Sequence, residues 1–179
     1  MGCFRDCTSL TDIKFSANLT AIGPRVFQGC TALTEVTLPA KLTSIGANVT
    51  SSTRVTSIAG YDKEYESYGY TFAGCTNLKT VKFAGNAIIC IGYKAFAGCE
   101  NLTEIAIPMN NFKFLLSFAF ENTGITEFTI GSKMEYIGTT PMLGCSLEKV
   151  NNNNENIVVD GSGIIYNADK SVIYYYPAE

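Results

Sequence analysis

Phe96-Ala-Gly-Cys-Glu-Asn-Leu102-Thr-Glu-Ile105-Ala-Ile107-Pro108 repeats the pattern of Phe27-Gln-Gly-Cys-Thr-Ala-Leu33-Thr-Glu-Val36-Thr-Leu38-Pro39. Ring, Gly-Cys pair, apolar columns and closing proline stand at the same offsets in both. Working outward, related units begin at Phe4, Phe27, Thr50, Phe72, Phe96, Phe120 and Met142, in steps of 23, 23, 22, 24, 24 and 22 residues. Such self-similarity marks a solenoid, in which each coil contacts only its neighbours and none can bury its apolar face alone.

The first apolar column runs Leu10, Leu33, Val55, Leu78, Leu102, Ile125, Leu147. Two further columns follow at strand spacing: Ile13, Val36, Ile58, Val81, Ile105, Phe128, Val150, and Phe15, Leu38, Gly60, Phe83, Ile107, Ile130. Their i, i+2 offset places both on one strand face, so stacking predicts a parallel sheet with one short strand per coil. A second apolar pair then recurs, from Leu19/Ile22 to Met134/Ile137, with Tyr65/Tyr68 in the third unit. Gly23, Gly46, Gly69, Gly92 and Gly138 follow it, each expected to need positive φ or a close approach to the next coil. Leu116 replaces glycine in the fifth coil, where a distorted turn is expected.

The expected architecture is a repeat solenoid of about seven coils of 22–24 residues, mostly β and irregular structure with little helix. It spans 1–150, and 151–179 form an Asn-rich loop and a hairpin-like segment of the same domain. That tail reads as two short strands around an Asn-Ala-Asp turn.

The two quoted stretches strongly resemble the BspA-like leucine-rich repeat family, and the resemblance covers nearly everything from Phe4 to Val150. It implies a surface or secreted protein of gut and oral anaerobic bacteria or mucosal protists, several of which adhere to host matrix proteins or other microbes. In that family further coils follow a segment like Asp160–Pro177. With a repeat beginning at Phe4 and no leader or polar cap before it, the chain is expected to be an excised piece, its Met1 and Gly2 added. Departures are the missing Gly-Cys at Thr50 and Phe120, the one-residue deletion before Val55, Ile125 and Leu147, and a tyrosine-rich third coil. They predict an uneven binding face.

Composition narrows the chemistry. Of 179 residues, 46% are hydrophobic and 16% charged, the net charge is −3, and there is no Lys/Arg cluster, which argues against nucleic acid as partner. No apolar run approaches the roughly 18 residues that cross a bilayer, so no membrane insertion is expected. The absence of histidine removes Ser-His-Asp, Cys-His and His-metal sites. No catalytic residue, metal or cofactor is expected. Asp62, Glu64 and Glu66, the nearest carboxylate cluster, read as a solvated loop.

Cys7, Cys30, Cys75, Cys99 and Cys145 share one position of five coils, so register explains them. Cys7–Cys30 and Cys75–Cys99 lie within disulfide reach at coil spacing, yet laddered side chains point in parallel, which favours buried thiols acting as small hydrophobes. Cys3 and Cys90 lie off this column, and an exposed thiol at either would be reactive. Asn18, Asn48 and Asn101 fit the glycosylation sequon, although the Thr of each also serves the repeat.

Two candidate surfaces remain. On the strand, Asp12, Glu35, Thr80, Glu104 and Glu127 precede the inward column, and Lys14, Thr37, Lys82 and Thr129 lie between the two inward columns. Four acids in one column suit a basic patch on a protein partner such as a host extracellular-matrix or microbial surface protein; solubility alone also asks for polar residues there. In the segment Tyr61-Asp-Lys-Glu-Tyr-Glu-Ser-Tyr-Gly-Tyr70, Tyr65 and Tyr68 fill the apolar pair, leaving Tyr61 and Tyr70 as a candidate aromatic patch. The leading reading is an adhesin-like protein-recognition module. A passive spacer is second, and a carbohydrate-binding module third.

Overall fold

The computed structural model describes residues 2–47 and 69–176. Among them are thirteen short strands and no helix: β1 (Ala21–Ile22), β2 (Glu35–Leu38), β3 (Ser44–Ile45), β4 (Thr80–Phe83), β5 (Cys90–Ile91), β6 (Glu104–Ile105), β7 (Phe114–Leu115), β8 (Glu127–Ile130), β9 (Tyr136–Ile137), β10 (Lys149–Asn152), β11 (Ile157–Val159), β12 (Ile165–Asn167) and β13 (Ile173–Tyr175). Their parallel pairing follows the repeat, joining equivalent residues of successive coils.

The coil count differs from expectation. β2 pairs directly with β4, Glu35 opposite Thr80, and β3 directly with β5, Ile45 opposite Ile91. Among the described residues six coils stack, and the unit beginning at Thr50 lies outside them. Phe72 takes the place next to Phe27. The column positions Val55, Ile58, Gly60, Tyr65 and Tyr68 lie outside the described residues.

Three faces hold the coils together. The predicted strand face is β2-β4-β6 followed by a separate pair, β8-β10. The second apolar pair builds its own five-stranded parallel sheet, β1-β3-β5-β7-β9, so these coils carry a second strand where one was expected. The third face is a backbone ladder at the rings: Phe27 N–H donates to Thr71 O, Phe72 to Ala95, Phe96 to Ala119 and Phe120 to Pro141, all at 2.8 Å. Beneath it Phe4, Phe27, Phe72, Phe96 and Phe120 stack with centroids 5.2 to 5.6 Å apart, and Met142 ends the row. Each offset-stacked pair is worth about 0.5–1.5 kcal/mol beyond the area it buries.

Left-handed turns occur at a further set of positions besides those expected. Two residues after each ring φ is positive: Gly29, Gly74, Gly98 and Gly144 lie at 71 to 75°, with Asp6 and Asn122 in the coils that lack the glycine. This accounts for the Gly of Gly-Cys, and for its substitutes, since Asn and Asp tolerate this region best among residues with a Cβ. Of the glycines singled out from sequence, Gly46 and Gly69 have positive φ and Gly23 does not. Gly92 is set by contact, since a Cβ there would lie 2.7 Å from Ile45 O. Leu116 does not distort its turn: its N–H reaches Ile91 O at 3.0 Å, the bond Gly92 makes to Ile45 O.

Asp12–Phe15 form no strand in the first coil. Covered on one side only, Ile13 and Phe15 are half-buried, whereas Val36 and Leu38 of the next coil are fully buried. At the other end β11, β12 and β13 make an antiparallel sheet. Ile157, Ile165 and Tyr175 join the core of the coils, and Thr140 N–H donates to Tyr174 O, extending the third-face ladder onto the hairpin. The Asn run is more than a loop: buried Asn154 donates from Nδ2 to Gly131 O and Met134 O, fastening the last coil to the one before.

Candidate recognition surface

Alternation along the strands sets the surface. In β2 Val36 and Leu38 are buried while Glu35 and Thr37 are exposed, and β8 buries Phe128 and Ile130 behind Glu127 and Thr129. Asp12, Lys14, Lys82, Glu104 and Glu127 are exposed, and Thr80 and Thr129 are half-buried. β2, β4 and β6 bring Glu35, Thr80 and Glu104 into one row, and β8 and β10 place Glu127 opposite Lys149. Asp12 and Lys14 belong to the strandless first coil.

The acidic column is partly neutralised by the chain itself. Lys82 Nζ lies 2.8 Å from Glu35 Oε2, diagonally across β2 and β4, and Lys149 Nζ lies 3.0 Å from Glu127 Oε1. All four side chains are more than half exposed, so each pair contributes at most about 1 kcal/mol. Among the described residues Glu104 has no ion-pair partner within 4 Å.

Between β6 and β8 the strand face splits. Between β2 and β4 and between β8 and β10 the residue before the strand donates back to its equivalent, Lys79 N–H to Thr34 O and Glu148 N–H to Thr126 O, both at 2.8 Å. The residue after the strand does the same, Ala84 to Leu38 O and Asn153 to Ile130 O, both at 2.9 Å. Across β6 and β8 these bonds are missing, and among the described residues no backbone N–H reaches the carbonyls of Thr103 or Ile107; Ile107 N–H turns back to Ile105 O instead. The cause is the one-residue deletion before Ile125. The shortened turn presses against the preceding coil, where a Cβ on Gly124 would lie 3.0 Å from Glu100 O. Where the next coil carries the same deletion, before Leu147, pairing resumes. A cleft of about 380 Å³ results, lined by Thr103, Glu104, Ile107, Met109, Glu127 and Thr129 among others, beside a groove of about 430 Å³ over β4 and β6.

Tyr70 does not lie on this surface. It sits on the ladder at the rings with φ of 59°, its ring 4.8 Å from the Arg25 guanidinium and edge-on to Tyr93 at 5.5 Å. Tyr61 lies outside the described residues, as do Asp62, Glu64, Glu66 and Asn48. Asn18 is exposed, and Asn101 uses its amide to reach Thr76 O at 2.7 Å, a coil-to-coil bond that Asn77 repeats to Thr31 O.

Among the described residues, which include all seven cysteines, none forms a disulfide. Cys30, Cys75, Cys99 and Cys145 are buried, and each donates its S–H at 3.0 to 3.1 Å to the carbonyl of the ring residue one coil before. Sequence reasoning treated these as small hydrophobes and missed the donor role. Burial pushes the Cys30 thiol up to about 11 and raises Cys99 and Cys145 as well. Cys3 and Cys7 are exposed, whereas Cys90 is buried in a second apolar cluster with Phe114 and Leu116.

No curated protein shows significant similarity to the chain. Among solved structures, a leucine-rich repeat protein from Bacteroides ovatus aligns with a TM-score of 0.55 and 26% identity, covering 74% of this chain and 29% of its own. A leucine-rich cell surface protein from Faecalibacterium prausnitzii aligns with a TM-score of 0.54 and 18% identity, covering 90% of this chain and 44% of its own. The chain spans less than half the length of either. Residues 1–115 and 62–167 match the BspA type leucine-rich repeat region, in six copies. With the six-coil stack and these matches together, the chain belongs to the BspA-type leucine-rich repeat family.

Proposed function

We propose that this chain is a non-enzymatic, adhesin-like recognition module of a cell-surface or secreted protein, meeting a host extracellular-matrix or microbial surface protein through its strand face. The observation that carries this reading is the row of exposed polar side chains, Glu35, Thr37, Lys82, Glu104 and Glu127, set on strands whose opposite side is locked in the core. Rigid strands about 4.8 Å apart present such a row with little ordering cost on binding. Leucine-rich repeat families are generally non-enzymatic, and the described Faecalibacterium neighbour is a cell surface protein.

The test is saturable surface binding of the purified chain to fibronectin, fibrinogen, laminin, collagen and mucin, beside a variant carrying Lys at positions 35, 104 and 127. Binding lost in a still-folded variant supports the reading; binding that ignores the reversal overturns the strand face as the site. A passive spacer is the second reading, favoured by the Lys82–Glu35 and Lys149–Glu127 pairs, which spend two of the acids internally. It predicts no ligand for this chain and no effect of reversal beyond solubility.

A further inference from the structure

Building on that reading of the strand face, we infer that its specificity resides in the split between β6 and β8, which seats one lysine or arginine side chain of the protein partner. The cleft offers mainly acceptors on its β6 side: the carbonyls of Thr103 and Ile107 without backbone donors, and the Glu104 carboxylate without an ion pair among the described residues. Glu127 stands across from them, its charge shared with Lys149. Lysine and arginine carry donors only, three and five N–H respectively, so they match this set, whereas an anion would face two carboxylates. Ile105, Met109 and Phe128 provide an apolar wall for the methylene stem.

Size selects a side chain over an added strand. Inserting a strand requires the flanking strands to stand about 9.6 Å apart, twice the ordinary spacing. The same two coils are held together by the Phe96–Phe120 stack at 5.6 Å and by Phe96 N–H to Ala119 O at 2.8 Å, which forbids such opening. A volume of about 380 Å³ holds a long side chain with water.

Amide NMR titration of the intact chain with the capped peptide acetyl-(Ala-Arg)3-amide tests this, with acetyl-(Ala-Glu)3-amide as control. Saturable shifts are expected at 103–107 and 126–131 for the arginine peptide alone. Glu104→Gln should weaken binding about tenfold to a hundredfold, the worth of one charge-assisted hydrogen bond, and Glu155→Gln, at an exposed position off the strand face, should leave it unchanged. Glu104 is exposed, so its variant should keep the melting temperature of the parent. Shifts centred elsewhere on the strand face, indifferent to Glu104→Gln, overturn the cleft and leave the recognition face standing. Shifts nowhere on the strand face overturn the cleft, and the matrix-protein panel then decides the face separately.

Discussion

A thiol in this solenoid is a bonding element as well as a filler. Each carbonyl of the ring column from Phe27 onward to Phe72 accepts the N–H of its own coil's cysteine and the S–H of the next coil's, as Phe27 O does from Cys30 N and Cys75 Sγ. A thiol-specific alkylating reagent should therefore modify Cys3 and Cys7 in the native chain and all seven cysteines in denaturant, read by mass spectrometry. Rapid native labelling at Cys75 or Cys99 would contradict the burial. The same burial predicts a pH dependence. With its folded value raised from 9.0 to about 11, Cys30 stays protonated in the folded chain where the unfolded chain ionises. Its contribution to stability is complete below pH 9 and is lost as pH rises from 9 through 11. Cys30→Ala should flatten the fall in denaturation midpoint over that window. The recurrence of these cysteines was legible in the sequence; their carbonyl partners belong to the coil before and appear only once the coils are stacked.

At the scale of one coil, the Gly-Cys turn and the strand obey different constraints. Gly98 has φ of 71°, so Gly98→Ala should destabilise by about 1–2 kcal/mol, while Asn122→Gly at the equivalent turn should cost little or stabilise slightly, both read by urea denaturation. On the strand, Leu33 is fully buried, and Leu33→Ala should cost about 2–5 kcal/mol. Glu35→Ala removes one half-exposed ion pair and should cost less than about 1 kcal/mol. Ile105 is half-buried beside the split and should lie between the two. Equal shifts for Leu33→Ala and Glu35→Ala would overturn the inward and outward assignment. The deletion before Ile125 is visible in the sequence, yet its consequence is not, because a shortened turn breaks pairing only against a longer neighbour and preserves it against an equally short one.

For the whole molecule, stability depends on having a neighbour on both sides. Phe96 is fully buried between Phe72 and Phe120, whereas Phe4 is 46% exposed and stacks on Phe27 alone. Phe96→Ala should cost about 3–5 kcal/mol and Phe4→Ala markedly less, although both occupy the same repeat position. Native-state hydrogen exchange should show the same gradient, with the N–H groups of the Phe4 coil exchanging faster than those at Phe72, Ala95 and Phe96. Uniform protection along the stack would refute it. Repeat spacing was enough to read the solenoid, the inward columns and the exposed strand positions, because period and alternation are local properties of a chain that twists by a fixed amount per residue. Which coils adjoin was beyond it: Phe72 follows Phe27 in space although a repeat-like unit intervenes in sequence. The second sheet, the thiol-to-carbonyl bonds and the cleft between β6 and β8 were settled there too, for each depends on the match between two coils and neither coil contains it alone.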